Sequence, residues 1–164
     1  MIKSLSVVFP MYNEANRLFR TFKDIEKFKK LNFIKDIEYI FVDDGSTDNS
    51  IKKINDFFKN KKNFNLKIEK IKTNTGKGYA LKKGVIKAKK DWILTLDVDI
   101  SVSLLQIKKW INKKLINNKN VVYFGSRNLK NSDIEFKFHR KILGIIFSFL
   151  LNILFNINIK DTQC

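Results

Sequence analysis

Cysteine is almost absent from this chain of 164 residues: the single one is Cys164. No internal disulfide can form, and a reducing compartment is the natural setting. Proline is equally scarce, with Pro10 alone closing the first apolar run. No internal repeat and no Gly/Ser-rich linker divides the chain before about residue 130. The only histidine, His139, is read as a surface neighbour with no catalytic role. Met1 to Leu5 lack the basic region, long apolar stretch and cleavage site of a signal peptide, so no export signal is expected. Acidic residues are few, 16 against 33 Lys and Arg, for a formal charge of +17. Such an excess favours an anionic partner: nucleic acid, a phosphorylated substrate or an acidic membrane surface. Nucleic acid is disfavoured, because the basic residues form no patch interleaved with aromatics. Most of the excess is Lys scattered beside Asn, Ile and Phe, as biased nucleotide composition would produce.

What is present suffices for one sizeable core, with 44% hydrophobic and 13% aromatic residues. Leu5 to Phe9 is a short apolar run, and Glu14 to Leu31 then carries Leu18, Phe22, Ile25 and Phe28 at helical spacing. Ile37 to Val42 reads as a strand, followed by a turn at Asp43 to Ser46 and a helix over Asp48 to Phe58, capped by Ser46 or Thr47. Leu66 to Ile71 and Lys77 to Lys89 make a third strand and helix. Trp92 to Leu96 and Leu104 to Leu115 make a fourth pair, and Val121 to Phe124 adds a further strand. Alternation of this kind predicts an α/β fold with a Rossmann-like, mostly parallel sheet and helices on both faces. Its ligand loops gather at the carboxyl ends of the strands.

One strand ends in Asp97-Val98-Asp99. Side chains alternate along a strand, so the two carboxylates are expected to project together. They repel each other unless a cation lies beside them, and hard oxygen ligands suit Mg²⁺ or Mn²⁺ bridging a diphosphate. The alternative is a solvated turn at a strand end. Gly76-Lys77-Gly78 opens a helix, where bare backbone permits close approach of a ligand and Lys77 adds a point charge. It lacks the third glycine of a dinucleotide fingerprint and the longer spacing of a P-loop.

Pro10-Met11-Tyr12-Asn13-Glu14, Val42-Asp43-Asp44-Gly45-Ser46-Thr47-Asp48, Asn74-Thr75-Gly76-Lys77-Gly78 and Asp97-Val98-Asp99 therefore meet at one edge. In this order they resemble the family 2 glycosyltransferases with the GT-A fold. Gly125-Ser126-Arg127 and the closing Asp161-Thr162-Gln163-Cys164 are similar to the branch of dolichyl- and polyprenyl-phosphate β-glucosyltransferases. The resemblance implies an inverting transfer of a hexose, glucose in this branch, from a UDP-sugar to a polyprenyl phosphate, assisted by Mg²⁺ or Mn²⁺. A polysaccharide or other hydroxyl acceptor is the alternative.

It further implies that Pro10, Tyr12, Glu14, Asp44, Lys77, Asp97 and Val98 bind the nucleotide sugar, with Tyr12 stacked on uracil and Asp44 accepting from the base imide. Glu14 reaches the ribose or caps a helix start. Asp43 orders the turn around Gly45, where a positive φ is expected, and Asp48 serves the start of its helix. Asp99, with Asp97, holds the metal, and Asp97, Asp99 and Arg127 are the catalytic set. Some relatives carry a Gln ligand where this chain has Ser101, so metal coordination through residue 101 is expected to be lost or mediated by water. Arg127 and Arg140 match residues that hold the acceptor phosphate, which a guanidinium fork fits well. Asp161 shapes the acceptor loop, or acts as base if the acceptor is a hydroxyl.

Residues 1–130 are thus expected to form the nucleotide-sugar core and 131–164 an acceptor-side segment. From Ile142 to Ile159 no residue is charged, and Lys137, His139, Arg140 and Lys141 lie just upstream. A helix lying in the membrane interface is the first reading, with a buried amphipathic helix and a spanning helix as alternatives. The enzyme is expected at the cytoplasmic face of the membrane. Members of the branch continue past Asp-Thr-Gln-Cys, so the chain is expected to be incomplete at its C-terminus.

Overall fold

The computed structural model describes residues 2–118, 120–125 and 153. Four strands, β1 (Ser4–Met11), β2 (Asp36–Asp43), β3 (Asn65–Lys70) and β4 (Trp92–Thr95), alternate with helices α1 (Leu18–Lys30), α2 (Ser50–Phe58), α3 (Lys77–Lys87) and α4 (Leu105–Asn112). Every pairing is parallel, in the order β3-β2-β1-β4. The α/β alternation read from the sequence is therefore present, and both sheet faces carry helices.

Period-two patterning decides which helix covers which face. Leu5, Val7 and Phe9 of β1 and Ile37, Tyr39 and Phe41 of β2 point to one side, where Leu18, Ile25 and Phe28 of α1, Ile54 and Phe58 of α2 and Ile107 of α4 meet them. Val8, Ile40 and Val42 point to the other side, against Ala80 of α3. Phe9 and Phe41 stack across the strands with centroids 4.9 Å apart, and Phe22 of α1 lies flat on Phe57 of α2 at 4.1 Å. Burial of each large apolar side chain contributes about 1.5–3 kcal/mol relative to exposure, so this double core dominates the stability of the sheet. Pro10 is tolerated inside β1 because its nitrogen points the same way as Val8, toward β4. That strand pairs only as far as Val8, so no ladder bond is lost.

Three local expectations are corrected. Helix α1 begins at Leu18 rather than Glu14, because residues 15–17 form a turn in which the Glu14 carbonyl accepts the Arg17 and Leu18 N–H groups. Neither Ser46 nor Thr47 caps α2; Asp48 Oδ1 accepts the Ser50 N–H at 2.9 Å, while Ser46 Oγ is taken by the Asn13 N–H. Residues 121–124, expected to be a strand, are irregular, with Val122 and Phe124 each 75% exposed. β-branched and aromatic content makes a strand only where a ladder partner is available.

The chain packs as two units, Met1–Lys119 and Asn120–Cys164, and all eight elements lie in the first. Arg127, His139, Arg140, Asp161 and, apart from Ile153, the apolar segment 142–159 lie outside the described residues. Among the described residues no helix is long and apolar enough to cross a membrane.

Candidate active site

The strand order reverses at β1, which has β2 on one side and β4 on the other. Ligands of open parallel sheets bind outside the strand carboxyl ends at such a point. There the chain forms a cleft of about 380 Å³, lined by Pro10, Met11, Tyr12, Glu14, Arg17, Asp44, Asn74, Lys77, Ala80, Asp97, Val98 and Asp99. Every residue proposed from the sequence for the nucleotide sugar or the metal is among them. The acceptor arginines Arg127 and Arg140 lie outside the described residues.

The loop after β1 is knit to the loop after β2. Asn13, in the left-handed region at φ +55°, donates its N–H to Ser46 Oγ at 2.9 Å, and its Oδ1 accepts the Thr47 N–H at 2.8 Å. Ala15 N–H donates to Asp48 Oδ2 at 3.0 Å, and Glu14 N–H to Ser50 Oγ at 3.0 Å. These bonds tie down the loop that carries Tyr12, which is 44% exposed and lines the cleft, where an aromatic ring can stack on a planar ligand. The Glu14 side chain does not cap α1. Its carboxylate lines the cleft and accepts from Arg17 Nη1 at 3.1 and 3.2 Å.

Asp43 and Asp44 divide their work. Asp43 Oδ1 accepts the Ser46 N–H at 3.3 Å, ordering the turn in which Gly45 takes φ +78°. A Cβ on Gly45 would meet Asn74 N and the Thr73 carbonyl carbon at 2.9 Å, so only glycine lets this turn lie against the loop after β3. Asp44, buried, accepts from Thr75 N at 2.9 Å, Thr75 Oγ1 at 2.8 Å and Gly76 N at 2.7 Å. Burial alone would raise its pKa. The bonds from Thr75 and Gly76 outweigh that and hold the carboxyl below its ordinary 3.8. An ionised carboxylate offers about four acceptor positions, so the three donors leave capacity for one more.

Asp97 and Asp99 both line the cleft, but strand alternation does not put them there. β4 ends at Thr95, and Asp97 to Ile100 form a turn in which the Ile100 N–H donates to the Asp97 carbonyl at 3.1 Å. Val98, only 2% exposed, tucks beneath this turn, and its carbonyl accepts from Thr21 Oγ1 of α1. Ile100 sits at φ +53°, a conformation that costs a β-branched residue about 1–3 kcal/mol and persists only where neighbours impose it. Just beyond, buried Asp24 of α1 accepts the Leu104 N–H at 2.6 Å and Ser103 Oγ at 2.7 Å, capping α4 from another helix.

The two carboxylates differ in what they hold. Asp97 Oδ1 lies 2.6 Å from Lys77 Nζ, whereas Asp99 Oδ1, among the described residues, accepts the Ser101 N–H at 2.9 Å and pairs with no cation. No cluster of three or more His, Cys, Asp or Glu side chains able to hold a metal occurs among the described residues. Beyond Asp97 and Asp99, a divalent ion here would take further oxygens from water or a ligand, as Mg²⁺ commonly does from substrate phosphates. On that footing the pair fits Mg²⁺ or Mn²⁺. Four lining residues, Met11, Arg17, Asn74 and Ala80, were given no site role from the sequence. Arg17 carried a usable signal, standing three residues after Glu14, while Asn74 enters only because Asp44 draws its loop inward.

A model of glycosyl transferase family 2 matches residues 6–164. Among curated relatives, the dolichyl-phosphate β-glucosyltransferase of Dictyostelium discoideum is 33% identical over 98% of this chain and 52% of its own length. That of Homo sapiens is 31% identical over 99% and 53%. The chain thus spans about half the length of the curated relatives it matches. Among solved structures, the mannosyltransferase PcManGT of Pyrobaculum calidifontis, in complex with GDP-Man and Mn²⁺, superposes with a TM-score of 0.56. It is 22% identical, over 60% of this chain and 28% of that one. TarS 1-349 of S. aureus in complex with UDP gives a TM-score of 0.55 and 26% identity over 67% and 32%.

Proposed function

Because the chain belongs to glycosyltransferase family 2 and has the GT-A fold, we propose that its cleft binds a UDP-hexose, with glucose as the sugar, and that the hexose passes with inversion to a polyprenyl phosphate of the dolichyl type. The observation that carries this reading is the meeting of Tyr12, Glu14, Asp44, Lys77, Asp97 and Asp99 around one cleft at the switch point of the sheet. The sugar and the acceptor are supported by the names of the relatives.

Each residue then has a task its geometry suits. Tyr12 stacks on the base, the spare acceptor position of Asp44 takes the imide N–H, and Glu14 reaches the ribose. Lys77, at the first turn of α3, meets the diphosphate together with the free N–H groups of that helix start. Asp97 and Asp99 hold the divalent ion, which when bound supplies positive charge at the departing diphosphate. An acceptor phosphate oxygen is already anionic near neutral pH, so it attacks the anomeric carbon without a strong general base. The new bond forms from the face opposite the UDP oxygen, whose bond to the sugar breaks. Arg127 and Arg140 bind the acceptor phosphate, and the lipid acceptor puts the enzyme at the cytoplasmic face of a membrane.

Calorimetry with UDP- and GDP-sugars, with and without Mn²⁺, tests the site. Tight binding is expected for UDP-glucose with Mn²⁺ only, weakened about tenfold or more in Asp99→Ala. Binding that ignores both the metal and this substitution overturns the reading. Extraction of labelled product into organic solvent tests the acceptor, and label that stays aqueous refutes a lipid.

A further inference from the structure

The ion pair between Lys77 and Asp97 has a consequence for the order in which ligands enter. Among the described residues two cationic side chains line the cleft, Arg17 and Lys77. Arg17 is committed to Glu14, and Lys77 Nζ lies 2.6 Å from Asp97 Oδ1. Without ligand the ammonium therefore stands where the charge of a divalent ion would have to be, and ammonium and metal repel each other at that range. Among the described residues Asp99 pairs with no cation, and it offers too few oxygens by itself.

The Lys77 side chain also has open space around it. It is 62% exposed, and a Cβ placed on either flanking glycine, Gly76 or Gly78, would meet nothing within 4 Å. We propose that Lys77 is an internal stand-in for the metal: it neutralises Asp97 until a diphosphate draws its ammonium away, so that the divalent ion binds productively only together with the nucleotide. The diphosphate does two things at once. It offers Lys77 a more anionic partner than a single carboxylate, and it completes the ligand set of the ion with phosphate oxygens. An empty cleft thus keeps Asp97 neutralised and takes up free metal only weakly.

This inference rests on the cleft being a sugar-nucleotide site, and the test separates the two. Mn²⁺ binding is titrated by electron paramagnetic resonance on the full chain, with and without UDP, for the wild type, Lys77→Met and Asp99→Ala. The wild type should bind Mn²⁺ weakly alone and more tightly with UDP. Lys77→Met should bind Mn²⁺ alone about fivefold more tightly, the scale of one exposed ion pair, and gain less from UDP. Equal or weaker Mn²⁺ binding by Lys77→Met, with the UDP effect intact in the wild type, overturns the stand-in role and leaves the sugar-nucleotide reading standing. If UDP does not alter Mn²⁺ binding by the wild type and Asp99→Ala changes nothing, the sugar-nucleotide reading itself falls and this inference with it.

Discussion

Replacing Gly84 with alanine tests how helix α3 carries its share of the cleft. An added Cβ would lie 2.3 Å from Val8 Cγ1 and 2.9 Å from Val42 Cγ2, both on fully buried residues of the two central strands. In an unhindered helix the change would gain about 1 kcal/mol from helix propensity. Overpacking a close-packed contact costs about 1–3 kcal/mol, and an approach this short belongs at the upper end. The expected net result is a loss of about 1–2 kcal/mol, read as a lower urea midpoint by far-UV circular dichroism. In a Val8→Ala background the nearest obstacle is gone, so the penalty of Gly84→Ala should shrink and a double-mutant cycle should show coupling of about 0.5–3 kcal/mol. Lifting α3 off the sheet also shifts Gly76 and Lys77, so UDP affinity should fall alongside stability. Gly84→Ala that is more stable than the wild type and binds UDP equally well would refute the packing argument.

Asp24→Ala removes both bonds that start α4, and about 1–2 kcal/mol of stability should go with them. Hydrogen exchange at Leu104 and along α4 should accelerate, and unchanged protection there would deny Asp24 its capping role. Three carboxyls, Glu38, Asp44 and Asp48, are held below their ordinary values of 4.5, 3.8 and 3.8. For each, burial pushes upward most strongly, and the bonds from Lys67, Ser6 and Lys89, from Thr75 and Gly76, and from Ser50 and Ala15 together more than offset it. A depressed folded pKa stabilises above the unfolded value and loses that contribution as pH falls through the folded one. Urea-derived stability should therefore decline as acid is added below about pH 4.5, less steeply in Glu38→Gln, and a profile flat down to pH 3 would contradict these bonds.

Much of the fold was legible because each strand and helix carries its own period. Leu5 to Phe9 and Ile37 to Val42 could only be buried strands, and Leu18, Phe22, Ile25 and Phe28 repeat as a helix does. The cleft was legible for a related reason: parallel topology sends Glu14, Asp44, Lys77 and Asp97 to one edge wherever the loops bend in detail. Where contacts between distant segments decide, reading along the chain fails. At the start of α2 it is Asp48, not Ser46, that accepts the Ser50 N–H, because Asn13 reaches across from the loop after β1 and occupies Ser46. Asp97 and Asp99 line one cleft, but a turn pinned by Thr21 replaces the strand that alternation assumed. Val121 to Phe124 shows the limit from the other side, where strand-like composition found no ladder.

Thr21 and Asp24 lie one turn apart on α1 and grip residues 98 and 104. The chain between these anchors is an arch, sprung at Ile100, whose curvature is imposed from outside rather than chosen by its own residues. A ligand arriving at Asp97 and Asp99 thus meets a preshaped pair whose backbone it has no need to order, and the entropy of that ordering is spent when the protein folds instead of when it binds.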